Sequence, residues 1–162
     1  MIRSGLRYLA GALALAVAGI HLYWGFPRLI TQLDVGAVPD PRPIAFVLSS
    51  VAIILGIAQI LDGRNPKPIY LAGIALMFAY IGGYVAWHTV LGHGGFWPWM
   101  PELEQHTHDE GLIDLVIGHL AEDPLALASK LLELSLAIVL GVLYRGEKTA
   151  GDDAVQAAVG SQ

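Results

Sequence analysis

Histidines stand at positions 21, 88, 93, 106, 108 and 119 of a chain that has no cysteine. Without thiolates a bound metal must be held by nitrogen and oxygen, and imidazoles alternating with carboxylates suit Zn²⁺ or Cu²⁺. His106 and His108 lie in such a stretch, among Glu102, Glu104, Asp109 and Glu110, with His93 before it and His119 after it. A second group, His21, His88, Lys130 and Glu133, falls inside apolar runs, where an ionisable side chain is costly unless it is paired or used. Lys130 and Glu133, three residues apart, share a helical face and can pair, and Tyr84 and His88 do the same at a spacing of four. We therefore take Glu133 and Lys130 as candidate catalytic groups and His21, His88 and Tyr84 as candidate cofactor contacts. His21, His88, His93, His106, His108 and His119 are the candidate metal ligands. Haem held between His21 and His88, with Lys130 or Arg28 near a propionate, is an alternative. A purely structural reading also stands: Lys130 and Glu133 neutralise each other, His21 bonds a serine, and the acidic loop is simply solvated.

These groups have to be positioned by membrane helices. Hydrophobic residues make up 55% of the 162 and charged residues 14%, against about 25% charged in an ordinary soluble domain. The net charge is −5 and no basic stripe is present, which excludes nucleic-acid binding. Four apolar runs, 5–26, 44–61, 69–91 and 125–144, each approach the roughly 20 residues that cross a bilayer as a helix. The prolines at 27, 39, 41, 43, 66, 68 and 124 mark the breaks. The expected fold is all-α: an integral membrane four-helix bundle over 1–144, with a long His-rich outer loop at 92–124 and a disordered cytoplasmic tail at 145–162. In that loop Leu112, Leu115, Val116, His119 and Leu120 recur at helical spacing and predict a short amphipathic helix. Arg3 and Arg7 before an alanine-rich run also fit a signal peptide, but the run continues to Phe26, and Ala10, Ala14 and Ala18 line one face suited to close helix packing.

Arg3, Arg7, Arg64, Lys67, Arg145 and Lys148 fall on one side of these spans and only Arg28 and Arg42 on the other. Both termini are then expected in the cytoplasm of a plasma-membrane protein, with the His-rich loop outside. At about 1.5 Å per residue, His21 lies about 9 Å below Pro27, and Lys130 and Glu133 lie about 9 and 14 Å below Pro124. His88, Ser49 and Ser50 occupy a similar level. One polar layer in the outer half is the expectation, with little but Gln59 in the inner half. His88 and His93, five apart, do not share a helical face, and neither a nucleotide-binding loop nor a nucleophile elbow is present.

The segment Arg7-Tyr8-Leu9-Ala10-Gly11, continued by Gly19-Ile20-His21-Leu22-Tyr23-Trp24-Gly25-Phe26-Pro27-Arg28-Leu29, resembles the opening helix of the DoxX-like membrane proteins. Ile54-Leu55-Gly56 and the stretch from Ala79 to Phe96, with His88 and Gly95-Phe96, extend the likeness to about two thirds of the chain. The long His-rich loop and the Lys130/Glu133 pair depart from the pattern. The resemblance implies a small four-helix subunit of a quinone-linked oxidoreductase, or an accessory protein of membrane redox chemistry. Expected partners are lipid, other membrane redox subunits or further copies of the chain, and a non-catalytic accessory role is the rival to an outward-facing His/carboxylate site.

Overall fold

The computed structural model describes residues 2–36, 40–89, 91 and 111–159. Among these the chain is entirely helical: α1 (Ile2–Asp34), α2 (Arg42–Leu61), α3 (Pro66–His88), α4 (Leu112–Glu122) and α5 (Pro124–Val159). Four segments are long and apolar enough to cross a membrane: Ser4–Asp34, Arg42–Leu61, Pro66–His88 and Pro124–Glu147.

The ends of these helices follow local chemistry. Pro41 precedes α2 and Pro43 sits in its first turn, where a missing N–H leaves no helical bond unmade. Asn65 caps α3 by accepting from the Lys67 amide at 3.1 Å, and Pro66 opens the helix. Asp123 Oδ1 accepts from the amides of Leu125 and Ala126 at 2.9 and 3.0 Å, turning the chain from α4 into α5.

Pro27 does not end α1, contrary to the expected boundary at 26; the helix runs on to Asp34. A proline inside a helix deletes one backbone bond and leaves the others free to form. Side chains support this turn, with Arg28 donating to the Trp24 carbonyl at 2.9 Å and Thr31 to that of Pro27 at 3.1 Å. At the other end of the chain, where a disordered tail was expected from 145, α5 continues to Val159. The amphipathic helix expected from the spacing of Leu112, Leu115, Val116, His119 and Leu120 is α4, with Leu115 buried, His119 and Leu120 half-buried, and Ile113 and Ile117 exposed.

The two longest helices form the centre. α1 packs against α2 and α5, α3 packs against α5, and α2 touches α3 only lightly, while α4 lies against α3 and α5. Small residues bring backbones together: Ala10 and Ala18 are buried on α1, and a Cβ at Gly25 would lie 3.1 Å from Phe46 Cβ and 3.2 Å from the Pro43 carbonyl. The core of Ala10, Val17, Tyr70, Met77, Tyr80, Leu136, Ala137, Leu140 and Leu143 is apolar toward the end that carries the N-terminus. Leu48, Val51, Ile54, Leu55, Phe78, Leu131, Leu134 and Ile138 face outward. A surface this apolar is costly in water and costs nothing in hydrocarbon.

Candidate functional site

The polar layer expected in one half of the bundle forms around Glu133, whose side chain is completely buried. Burial of a carboxylate demands donors, and α5 provides two of them from its own neighbouring turns. Ser129 Oγ donates to Glu133 Oε1 at 2.8 Å, and Lys130 Nζ donates to Oε1 and Oε2 at 2.7 and 2.6 Å. Lys130 also reaches the Tyr80 carbonyl at 3.4 Å. The α5 pair is thus a charge-assisted clamp with most of its hydrogens and lone pairs occupied.

His21 meets this clamp from α1. Its Nδ1 lies 2.9 Å from the Val17 carbonyl, which can only accept, so Nδ1 carries a hydrogen. The other nitrogen, Nε2, lies 3.4 Å from Glu133 Oε1. That is long for a hydrogen bond and short for two bare lone pairs in a dry interior. The ring is held in this orientation by stacking on Tyr80, with centroids 3.9 Å apart, and by the edge-on ring of Phe46 at 4.7 Å.

Hydroxyls of α2 complete the layer. Tyr80 donates to Ser49 Oγ, and Ser49 in turn donates to the Ala45 carbonyl at 2.6 Å. Ser50, fully buried, donates to the Phe46 carbonyl at 2.7 Å and reaches the Ala18 carbonyl across the interface at 3.2 Å. Every transmembrane helix therefore contributes a polar group at one level.

A second cluster lies nearer α4. His88 stacks obliquely on Tyr84 at 4.2 Å and approaches His119 of α4 at 4.7 Å between ring centroids. Each of these histidines donates through Nδ1 to a carbonyl one turn back, His88 to Tyr84 at 2.9 Å and His119 to Leu115 at 2.8 Å. Lys130 Nζ sits 5.4 Å from the Tyr84 ring and 5.9 Å from that of Tyr80, bridging the two clusters. Above them, Arg42 lies on the Trp87 ring at 3.5 Å, within 5.3 Å of Trp24, and forms an ion pair with Asp40 at 2.7 Å.

The sequence-derived site residues thus separate into two groups. His21, Lys130 and Glu133 come together; His88, Tyr84 and His119 form the adjoining group; His93, His106 and His108 lie outside the described residues. His21 and His88 have different ring neighbours, Tyr80 and Phe46 for the first and Tyr84 and His119 for the second. Among the described residues, no three histidine or carboxylate side chains are grouped so that they could hold a metal ion. Tyr80, Ser129 and Phe46 were not anticipated. Tyr80 lies one turn before Tyr84, and Ser129 one turn before Glu133, so helical spacing carried that signal.

No protein-family model, no curated protein and no solved structure matches the chain.

Proposed function

We propose that this multi-pass membrane protein works through a buried proton-exchanging site made by His21, Glu133 and Lys130. The contact between His21 Nε2 and Glu133 Oε1 carries the reading, because the Val17 bond occupies Nδ1 and leaves Nε2 facing the clamped carboxylate. With Lys130 charged and Glu133 ionised, His21 changes between neutral and cationic forms without any large rearrangement. Glu133 and Lys130 act on the proton, while Tyr80, Ser49 and Ser129 fix the geometry. Such a site suits proton-coupled redox chemistry of a membrane-dissolved carrier of the quinone type, which the resemblance to DoxX-like proteins also favours. The charge asymmetry of the loops supports placing this site toward the outer face of the plasma membrane with both termini inside.

Proton uptake measured on the full chain in lipid nanodiscs tests the reading. Between alkaline and acidic buffer, the wild type should take up about one proton more than His21→Phe, which keeps a ring between Tyr80 and Phe46. Equal uptake by a folded His21→Phe variant contradicts it.

A second reading, a Zn²⁺ or Cu²⁺ site, is favoured by one observation. His88 and His119 lie ring to ring with both Nδ1 atoms tied to backbone carbonyls, the arrangement that fixes imidazoles for ligation through Nε2. Stoichiometric metal in the purified protein, lost in His88→Ala and His119→Ala, supports it; metal-free protein rejects it.

A further inference from the structure

We infer that the proton at His21 and Glu133 is exchanged from one side only, through the column His119, His88, Tyr84 and Lys130, and that the bundle does not pass protons to the opposite face. This rests on the proton-exchanging reading above and adds its route and sidedness.

The column consists of titratable groups in sequence from the surface helix inward. His119 is on α4, 4.7 Å from His88; His88 is 4.2 Å from Tyr84; Lys130 Nζ lies 5.4 Å from the Tyr84 ring and 2.6 Å from Glu133. His119, His88, Tyr84 and Lys130 are all half-buried, whereas His21 and Glu133 are buried. The path thus steps once, from half-buried groups to a buried pair, as a route into a dry site requires. The remaining ionisable neighbours lie at the same end, since Arg42 and Asp123 are close enough to act on His88 through space. α2 faces His21 only with the ring of Phe46, and its Ser49 and Ser50 are the nearby hydroxyls.

Toward the other face the described buried residues that follow directly on the polar layer are apolar. One turn beyond His21 is Val17, one turn beyond Glu133 are Leu136 and Ala137, and one turn beyond Tyr80 is Met77. Val17, Met77 and Leu136 are fully or almost fully buried, and Leu140, Leu143 and Ala10 continue the plug. Among the described residues, polar groups return in the interior at Tyr70 and Tyr144 and at the Arg7–Glu147 ion pair, while Gln59 and Ser135 are exposed on the outer surface of the bundle. A proton at His21 thus has a chain of carriers on one side and an apolar layer of several side chains on the other.

Stopped-flow pH jumps on the full chain in nanodiscs, read by a pH-indicator dye, separate the two claims. The amplitude assigned to His21 reports whether the site takes a proton, and its rate reports the route. His88→Phe and His119→Phe should keep the amplitude and slow the uptake by about a hundredfold, the scale on which a positioned acid–base group accelerates proton transfer. Tyr70→Phe, at the opposite end, should change neither. Intact amplitude with unchanged rate in both histidine variants overturns the route while leaving the site standing; loss of the amplitude in wild type overturns the site itself. Should His88→Phe misfold, His119→Phe on the separate helix α4 decides. In sealed vesicles with an imposed pH gradient, the wild type should leak no faster than protein-free lipid, and a leak above that baseline overturns the sidedness.

Discussion

His21 and Glu133 approach each other through Nε2 and Oε1, 3.4 Å apart, although the first already donates elsewhere through Nδ1 and the second already accepts from both Ser129 and Lys130. The histidine is fixed by its own helix and the carboxylate by another, so neither can turn away without breaking a buried bond. The two helices thus bring an imidazole and a carboxylate together at a fixed distance in the buried layer.

Removing one member of the Lys130/Glu133 clamp leaves an uncompensated buried charge. Lys130→Met alone should destabilise the protein by about 3–5 kcal/mol, whereas Lys130→Met with Glu133→Leu should be near neutral. Thermal unfolding in detergent measures both. If the double variant is as unstable as the single, polar bonds to Ser129 and His21, rather than charge balance, hold this part of the fold. Stability of the double variant should not restore proton uptake, since the acceptor for His21 is gone.

Close packing of α1 on α2 at Gly25 and of α3 on α5 at Gly73 predicts an unequal pair of glycine substitutions. An added Cβ at Gly73 would come within 2.7 Å of Leu140 Cδ1, and one at Gly25 within 3.1 Å of Phe46 Cβ and 3.2 Å of the Pro43 carbonyl. The nominal clash is worse at Gly73, yet the end of a leucine can rotate away, while a backbone carbonyl and a Cβ cannot. Gly25→Ala should therefore cost about 1–3 kcal/mol and Gly73→Ala less. A larger loss of melting temperature in Gly73→Ala than in Gly25→Ala contradicts this packing.

Arg42 is held by its shape as much as by its charge. It bonds both oxygens of Asp40 at 2.7 to 3.0 Å and holds its Cζ 3.5 Å from the centroid of the Trp87 ring. Arg42→Lys keeps the charge and loses the planar fork, so it should destabilise by about 1 kcal/mol, close to Arg42→Ala. Full stability of Arg42→Lys would show that only the charge matters.

The spans and the polar layer were legible in the sequence because hydropathy fixes which residues are in the membrane and residue counting fixes their depth. Depth does not give direction around the helix. Thus His21 and His88, at similar levels, were read as one site, whereas α1 turns His21 toward α5 and α3 sets His88 beside α4. Ser129 and Tyr80 were hidden for a different reason: a serine or tyrosine in an apolar run is cheap, and only the carboxylate it bonds reveals its role. Pro27 misled the reading of α1, since a proline removes one helical bond but its neighbours Arg28 and Thr31 support the carbonyls around it.

The orientation proposed from the loop charges is testable in a chain free of cysteine. Asp62→Cys and Ala121→Cys, both at exposed positions at opposite ends of the bundle, should react differently with an impermeant thiol reagent on intact cells. Ala121→Cys should be labelled and Asp62→Cys protected. The reverse pattern would place the proton column on the cytoplasmic side.

The most direct measurement is the ¹⁵N NMR spectrum of histidine-labelled protein in bilayers as a function of pH, with His21 assigned by its loss in His21→Phe. The account predicts that Nδ1 of His21 stays protonated throughout, bound to Val17, while Nε2 passes between bare and protonated forms, and that Glu133→Gln alters this passage. An Nε2 signal that remains bare at every pH at which the protein is folded, with Glu133 ionised throughout by its infrared carboxylate band, would contradict the shared proton and the function built on it.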